Sequence, residues 1–186
     1  MSTSGFSERD TFWILSAITE RLCQDYYTPS MFGLRRDFYV LRELVHHQHP
    51  DVLRHLDKLG APLAVFVTGS FLSHFVLHLP SHTLLRVMDI TMWLGSAGLI
   101  VGVLALIGLH RQHLLRARSL AQVKEVWQEV ERRCYDTEVL MRAMQNTWFD
   151  IDNGAGPINR LVFLRNRHES RIVSRENTEE GDDDDD

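Results

Sequence analysis

Six histidines are the densest chemistry-bearing signal in this sequence. His46, His47 and His49 form an HHQH run, and His74, His78 and His82 follow at four-residue steps. Imidazoles four apart on a helix share a face and can hold one metal ion. A catalytic zinc site of that kind needs a glutamate, as in H-E-x-x-H, and a structural one needs a second ligand pair such as C-x-x-C. Neither occurs near these positions. The histidines therefore read as helix-surface and interface residues, and no metal is expected. Nucleophilic catalysis has no better basis, because no Ser or Cys lies in an elbow or paired with a base by spacing. Cys23 and Cys134 are far apart and read as reduced thiols of a cytosolic protein. No Walker A or G-x-G-x-x-G run follows a strand, and the GAGP string at Gly154 reads as a turn. No cofactor is expected. Trp13, Tyr26 and Tyr27 leave two readings, exposed aromatics for a partner or half-buried packing.

The elements that position these residues have helical periodicity nearly throughout, so the expected fold class is all-α. Ser7 is a candidate N-cap, with Glu8 and Asp10 favouring the first turn. Phe12, Leu15, Ile18 and Leu22 then recur at three- and four-residue steps and predict one apolar face. Pro29 and Gly33 break the pattern. A second helix is predicted from Leu34 to His49, with Leu41, Leu44 and Val45 inward. Pro50 suits the first position of the next helix and Gly60 its C-terminal cap, with Leu53, Leu56 and Leu59 facing the core. Pro62 opens a predicted apolar helix through Leu79, and Pro80–Ser81 restarts the chain. Ser119 caps a polar helix with Val123, Val126, Trp127 and Val130 on one side. Residues 136–149 form another, DNGAGP is a loop, and Asn159 to Arg175 reads as a basic amphipathic helix. No strand-period segment or internal repeat competes.

The 186 residues suit one domain, and 44% apolar content suits a packed core. The formal net charge of −5 is concentrated at one end. Glu179, Glu180 and Asp182 to Asp186 supply seven carboxylates, and without them the charge is +2. That near-neutral body gives no reason to expect nucleic acid as a partner. The acidic end reads as a solvated, disordered tail. The opening MSTSGFSERD lacks the apolar stretch of a signal peptide.

Ile90 to Leu109 is uncharged for twenty residues and contains Gly98-x-x-x-Gly102, a spacing used by close-packed membrane helices. Asp89 precedes it, and Arg111, Arg116 and Arg118 follow. One reading is a membrane-anchored helical adaptor. The other is a turn at Gly95–Ser96 followed by a buried helix from Ala97 to Arg116, packed on the Pro62–Leu79 helix.

Two stretches carry a family likeness. FWILSAITERLCQDYYTPSMFGLRRDFYVLREL joins an aromatic-led helix through Tyr-Tyr-x-Pro to a helix bearing Asp37, and HLPSHTLLRVMDITMWLGS closes on Gly-Ser. Together and in this order they resemble the C-terminal half of a TBC domain, the catalytic domain of Rab GTPase-activating proteins. INRLVFLRNRHESRIV resembles the basic helix that follows the domain in several members. The likeness divides the chain into a partial TBC-like domain at 7–118, a helical extension at 119–175 and the acidic tail at 176–186. Met88 departs from the family's usual Trp before Asp89. Leu94, Ala97 and Val101 stand where charge is common, which suggests a buried contact, a membrane contact or lost constraint.

The resemblance implies a regulator of small GTPases and membrane traffic, with a Rab-type GTPase as partner. It implies a cytoplasmic location, with peripheral attachment to endomembranes as a further option. In the family, I-x-x-D-x-x-R supplies an arginine finger and Y-x-Q a glutamine, both from the N-terminal half. Neither string occurs here; the nearest, Leu22-x-x-Asp25-x-x-Thr28, ends in Thr. No residue inherits a catalytic role, and the GTPase-binding residues stay unassigned. The expectation is a chain that binds a small GTPase without accelerating hydrolysis, or a fragment of an active regulator. A half-domain also exposes the face its other half covers, so a second copy or the missing half is an expected partner. The Tyr-Tyr-x-Pro stretch becomes a joint between helices, and Asp37 is expected to pair with a neighbouring arginine that the sequence does not identify.

Overall fold

The computed structural model describes residues 7–151 and 156–179. Among the described residues, ten α-helices run α1 (Glu8–Ala17), α2 (Phe32–Gln48), α3 (Pro50–Lys58), α4 (Leu63–Leu72), α5 (Ser81–Leu94), α6 (Ser96–Leu109), α7 (Arg111–Arg116), α8 (Leu120–Arg132), α9 (Thr137–Asp150) and α10 (Pro157–Glu179). A single π-helical turn, Ile18–Leu22, continues α1. No strand occurs among the described residues. The predicted DNGAGP loop lies mostly outside them, and α10 runs four residues past its predicted end.

Local chemistry sets most boundaries. Ser7 accepts from the Asp10 N–H while the Asp10 carboxylate accepts from the Ser7 N–H, a reciprocal cap on α1. Pro50 opens α3, and Gly60 ends it at φ +60°. Ser119 and Asp136 cap α8 and α9 through the amides of Gln122 and Val139.

The core is organised around α6. Every residue from Ser96 to Ile107 is buried, which suits a helix apolar on all sides. Its fourteen residues span about 21 Å, against about 30 Å for a bilayer core. No helix among the described residues is long and apolar enough to cross a membrane. Gly95, at φ +62° and ψ −147°, divides the uncharged run and ends the membrane-span reading of Ile90 to Leu109. The Gly98/Gly102 spacing does serve close packing. A Cβ on Gly98 would lie 2.9 Å from Thr91 Cα in α5, and one on Gly102 would lie 3.3 Å from the Phe75 ring.

Two expectations need correction here. The α6 helix ends at Leu109, and α7 starts separately after His110. Its most extensive partners are α9 and α5, with α4 a lesser one.

Gly95 sits in a backbone region open essentially to glycine alone. A Cβ there would also meet the Leu22 carbonyl oxygen at 2.9 Å. Gly95→Ala should destabilise by about 3 kcal/mol, combining strain with the clash. Urea unfolding checks this. A loss below about 0.5 kcal/mol, the level of a neutral surface change, would show that the α5–α6 turn is not held in this form.

Candidate functional site

The joint between α1 and α2 is built around Asp37, which is fully buried in α2. Its carboxylate accepts from Tyr26 Oη at 2.7 Å and Ser96 Oγ at 2.7 Å. Arg165 of α10 donates from Nε and Nη2, both at 2.9 Å, and Arg36 Nε adds a bond at 3.2 Å. The main arginine partner is thus 128 residues away in sequence. Tyr26 is core, its hydroxyl pushed well above its usual pKa by burial and by the Asp37 charge. Gly33 lets α2 start against the joint, since a Cβ would fall 2.1 Å from the Gln24 carbonyl oxygen. Farther along α2, Glu43 pairs with Arg167 and, at 3.0 Å, with His168, while Tyr39 stacks on His168. These contacts fasten α10 along α2.

The structure also contains a Cys–His–Tyr chain. Cys23 Sγ lies 3.1 Å from His74 Nε2, and His74 Nδ1 lies 3.2 Å from Tyr27 Oη. Tyr27 donates its proton to the Leu72 carbonyl at 2.9 Å, so its oxygen accepts from His74 Nδ1–H. His74 Nε2 is then the bare nitrogen, and the thiol donates to it. Burial and the Asp37 charge push the thiol to about 12, while burial pushes His74 down. The pair is neutral thiol and neutral imidazole, fully enclosed at Cys23, and lacks the thiolate that nucleophilic chemistry needs.

This chain also explains a failed helix expectation. The predicted helix through Leu79 stops at Leu72, whose carbonyl Tyr27 occupies. His74 and Phe75 adopt φ +50° and +62°, and Phe75 turns into the core against Gly102. His74 and His78 therefore do not share a helix face. His78 Nδ1 pairs at 2.9 Å with Glu131, a buried acid raised in pKa chiefly by desolvation, which also accepts from Ser70. His82 meets the Tyr135 carbonyl at 2.9 Å. His46 and His47 are exposed, and the His49 ring packs at Gly108. No metal-type group of three ligands occurs among the described residues.

Large apolar side chains are exposed on α1 and α5. No residue of α1 is buried, and Phe12, Trp13 and Leu15 all point out. On α5, Trp93 is 81% exposed. It borders a groove of about 430 Å³ between α5, α6 and α9, lined by Ile90, Leu94, Met141, Trp148 and Phe149 as well. Leu94 and Val101 line the same groove and Ala97 is buried, so these uncharged positions serve buried contacts within the fold. Of the three aromatics singled out in the sequence, Tyr26 is core, whereas Trp13 and Tyr27 are exposed.

An all-helical domain whose Tyr-Tyr-x-Pro joint closes on a buried Asp37 is the class defined by this geometry. The Rab-GTPase-TBC domain model matches residues 3–115. The chain therefore belongs to the Rab-GTPase-TBC domain family. Growth hormone-regulated TBC protein 1-A of Danio rerio is 34% identical over 69% of this chain and 36% of its own length. Growth hormone-regulated TBC protein 1 of Rattus norvegicus is 33% identical over 71% of this chain and 46% of its own. The Chlamydomonas flagellar RabGAP TBC domain superposes with a TM-score of 0.65 at 22% identity, covering 74% of this chain and 45% of that one. The chain thus spans less than half the length of these relatives.

Exposed aromatic faces on part of a fold favour association. The pure chain should scatter light as a species larger than its 21.6 kDa. Trp13→Glu and Trp93→Glu should shift it towards monomer. A monodisperse wild-type monomer with cooperative melting would show that these faces need no cover.

Proposed function

We propose that this chain binds a Rab-type small GTPase and does not itself accelerate GTP hydrolysis. The supporting observation is a sequence that belongs to the TBC family yet contains neither I-x-x-D-x-x-R nor Y-x-Q. The helical body offers a docking scaffold, but no residue occupies a finger motif. The setting we infer is cytoplasmic, with any membrane contact peripheral. Biolayer interferometry of the pure chain against a panel of Rab proteins, loaded with GDP or a non-hydrolysable GTP analogue, tests the binding. Nucleotide-dependent association with at least one supports it, and no association across the panel overturns it.

The limited coverage of relatives and the open α1 and α5 faces favour a second reading. Here the chain is the C-terminal part of an activator, and those faces seat the remainder of the TBC fold. Co-expression with the N-terminal half of a relative's TBC domain should then yield a stable complex that stimulates hydrolysis. Failure to co-purify would overturn this reading while leaving the first intact.

A further inference from the structure

Three arginines from three elements line one groove of about 200 Å³. Arg21 comes from the π-helical turn, Arg36 from α2 and Arg165 from α10, with Ser96 beside them at the first turn of α6 and Gln24 and Asn166 also lining the groove. The groove forms where α10 docks across α2, so it lies partly outside the stretch matched by the family model. Asp37 is saturated by the hydrogen bonds described above, since a carboxylate offers about four lone-pair sites. Those bonds use Nε and Nη2 of Arg165 and Nε of Arg36. They leave Arg165 Nη1 and both terminal nitrogens of Arg36 with no hydrogen bond among the described residues. Arg21 is exposed and has no partner among them. One acid lines the groove, Glu169, half-exposed and 3.9 Å from Arg36 Nη1. Three arginines thus face Asp37 and Glu169, an excess of one positive charge. The positive end of α6 adds to it, because Gly95 provides no side-chain cap.

Planar guanidinium forks match the oxygens of a phosphoryl group. A phosphate monoester carries about −1.5 to −2 charge and three acceptor oxygens, enough to engage all three arginines together. We propose that this groove is a phosphate-monoester site, independent of any GTPase docking. The phosphoryl group belongs either to a lipid headgroup or to a soluble ester. Phe12 and Trp13 lie exposed on the helix leading into Arg21 and would sit at a membrane interface in the first case.

The test uses the full chain. Inorganic phosphate should shift the amides of Arg21, Gln24 and Ser96 saturably, while chloride at equal ionic strength should not. Phosphate should also raise the melting temperature above the chloride control. Arg21→Gln breaks no bond within the described protein, so it should fold normally. It should weaken phosphate binding about tenfold, the loss of one charge-assisted hydrogen bond. Glu169→Gln removes the opposing acid and should tighten binding about twofold. Vesicles of phosphatidylcholine with and without phosphatidic acid separate the two sources. Sedimentation that requires both phosphatidic acid and Arg21 assigns the lipid; its absence, with the phosphate response retained, assigns a soluble ester. Absence of a saturable phosphate response, or an Arg21→Gln variant that responds like wild type, overturns the site.

Discussion

Arg165→Ala should destabilise the fold by about 3 kcal/mol, within the usual range for stripping one partner from a buried ion pair. Asp37 has no exposed surface, and Arg165 supplies two of its three guanidinium contacts, at 2.9 Å each. Without Arg165, the charge is left to Arg36 at 3.2 Å and to two hydroxyls. Ser96 Oγ also loses the Arg165 Nη2 donor at 2.7 Å. Arg36 keeps the cost at the lower end of the range. For a chain of this size the melting temperature should fall by roughly 6–12 °C. Arg165→Lys keeps the charge but not the two-pronged contact, and should recover only part of the loss. Asp37→Ala combined with Arg165→Ala should cost less than the sum of the single changes, because neither charge is then orphaned. Urea unfolding of wild type and these four variants, Asp37→Ala among them, measures this. If Arg165→Ala stays within 0.5 kcal/mol of wild type, α10 is not locked onto α2 through Asp37.

That junction separates what local chemistry writes into a sequence from what tertiary structure adds. Pro50, Gly60, Pro80 and Gly95 act on their own backbone torsions, so the boundaries they set were legible. The α6 helix was legible as buried in either protein or membrane because it is apolar on every side, and the Gly95–Ser96 turn left it too short to span. Its chief covering helix was not, since nothing in α9 names α6 as its neighbour. Asp37 was legible as an acid needing a neighbouring arginine, and Arg36 does pair with it, but its main partner Arg165 lies 128 residues away. The stretch after Leu72 misled helical periodicity for a related reason. Its break comes from Tyr27 taking the Leu72 carbonyl and from Phe75 turning towards Gly102, contacts that no window around residue 75 contains.

The pure chain should give no detectable stimulation of GTP hydrolysis by any member of a Rab panel. An arginine finger accounts for roughly 10³–10⁵ in GTPase rate, equivalent to about 4–7 kcal/mol of barrier. It acts by placing a cation against charge that develops on the transferring phosphoryl group. A glutamine from the activator holds the attacking water, and the sequence has no Y-x-Q to supply one. Docking alone does not replace these groups, because binding that treats ground state and transition state alike leaves the chemical step unchanged. None of the 18 arginines occurs in an I-x-x-D-x-x-R string. Single-turnover phosphate release at saturating chain is the measurement. An acceleration above about tenfold would require at least 1.4 kcal/mol of transition-state stabilisation from this chain. Arg21, exposed and unpartnered among the described residues, is then the first to substitute. Loss of that acceleration on changing one arginine would identify a finger outside the family motif and overturn the non-catalytic reading.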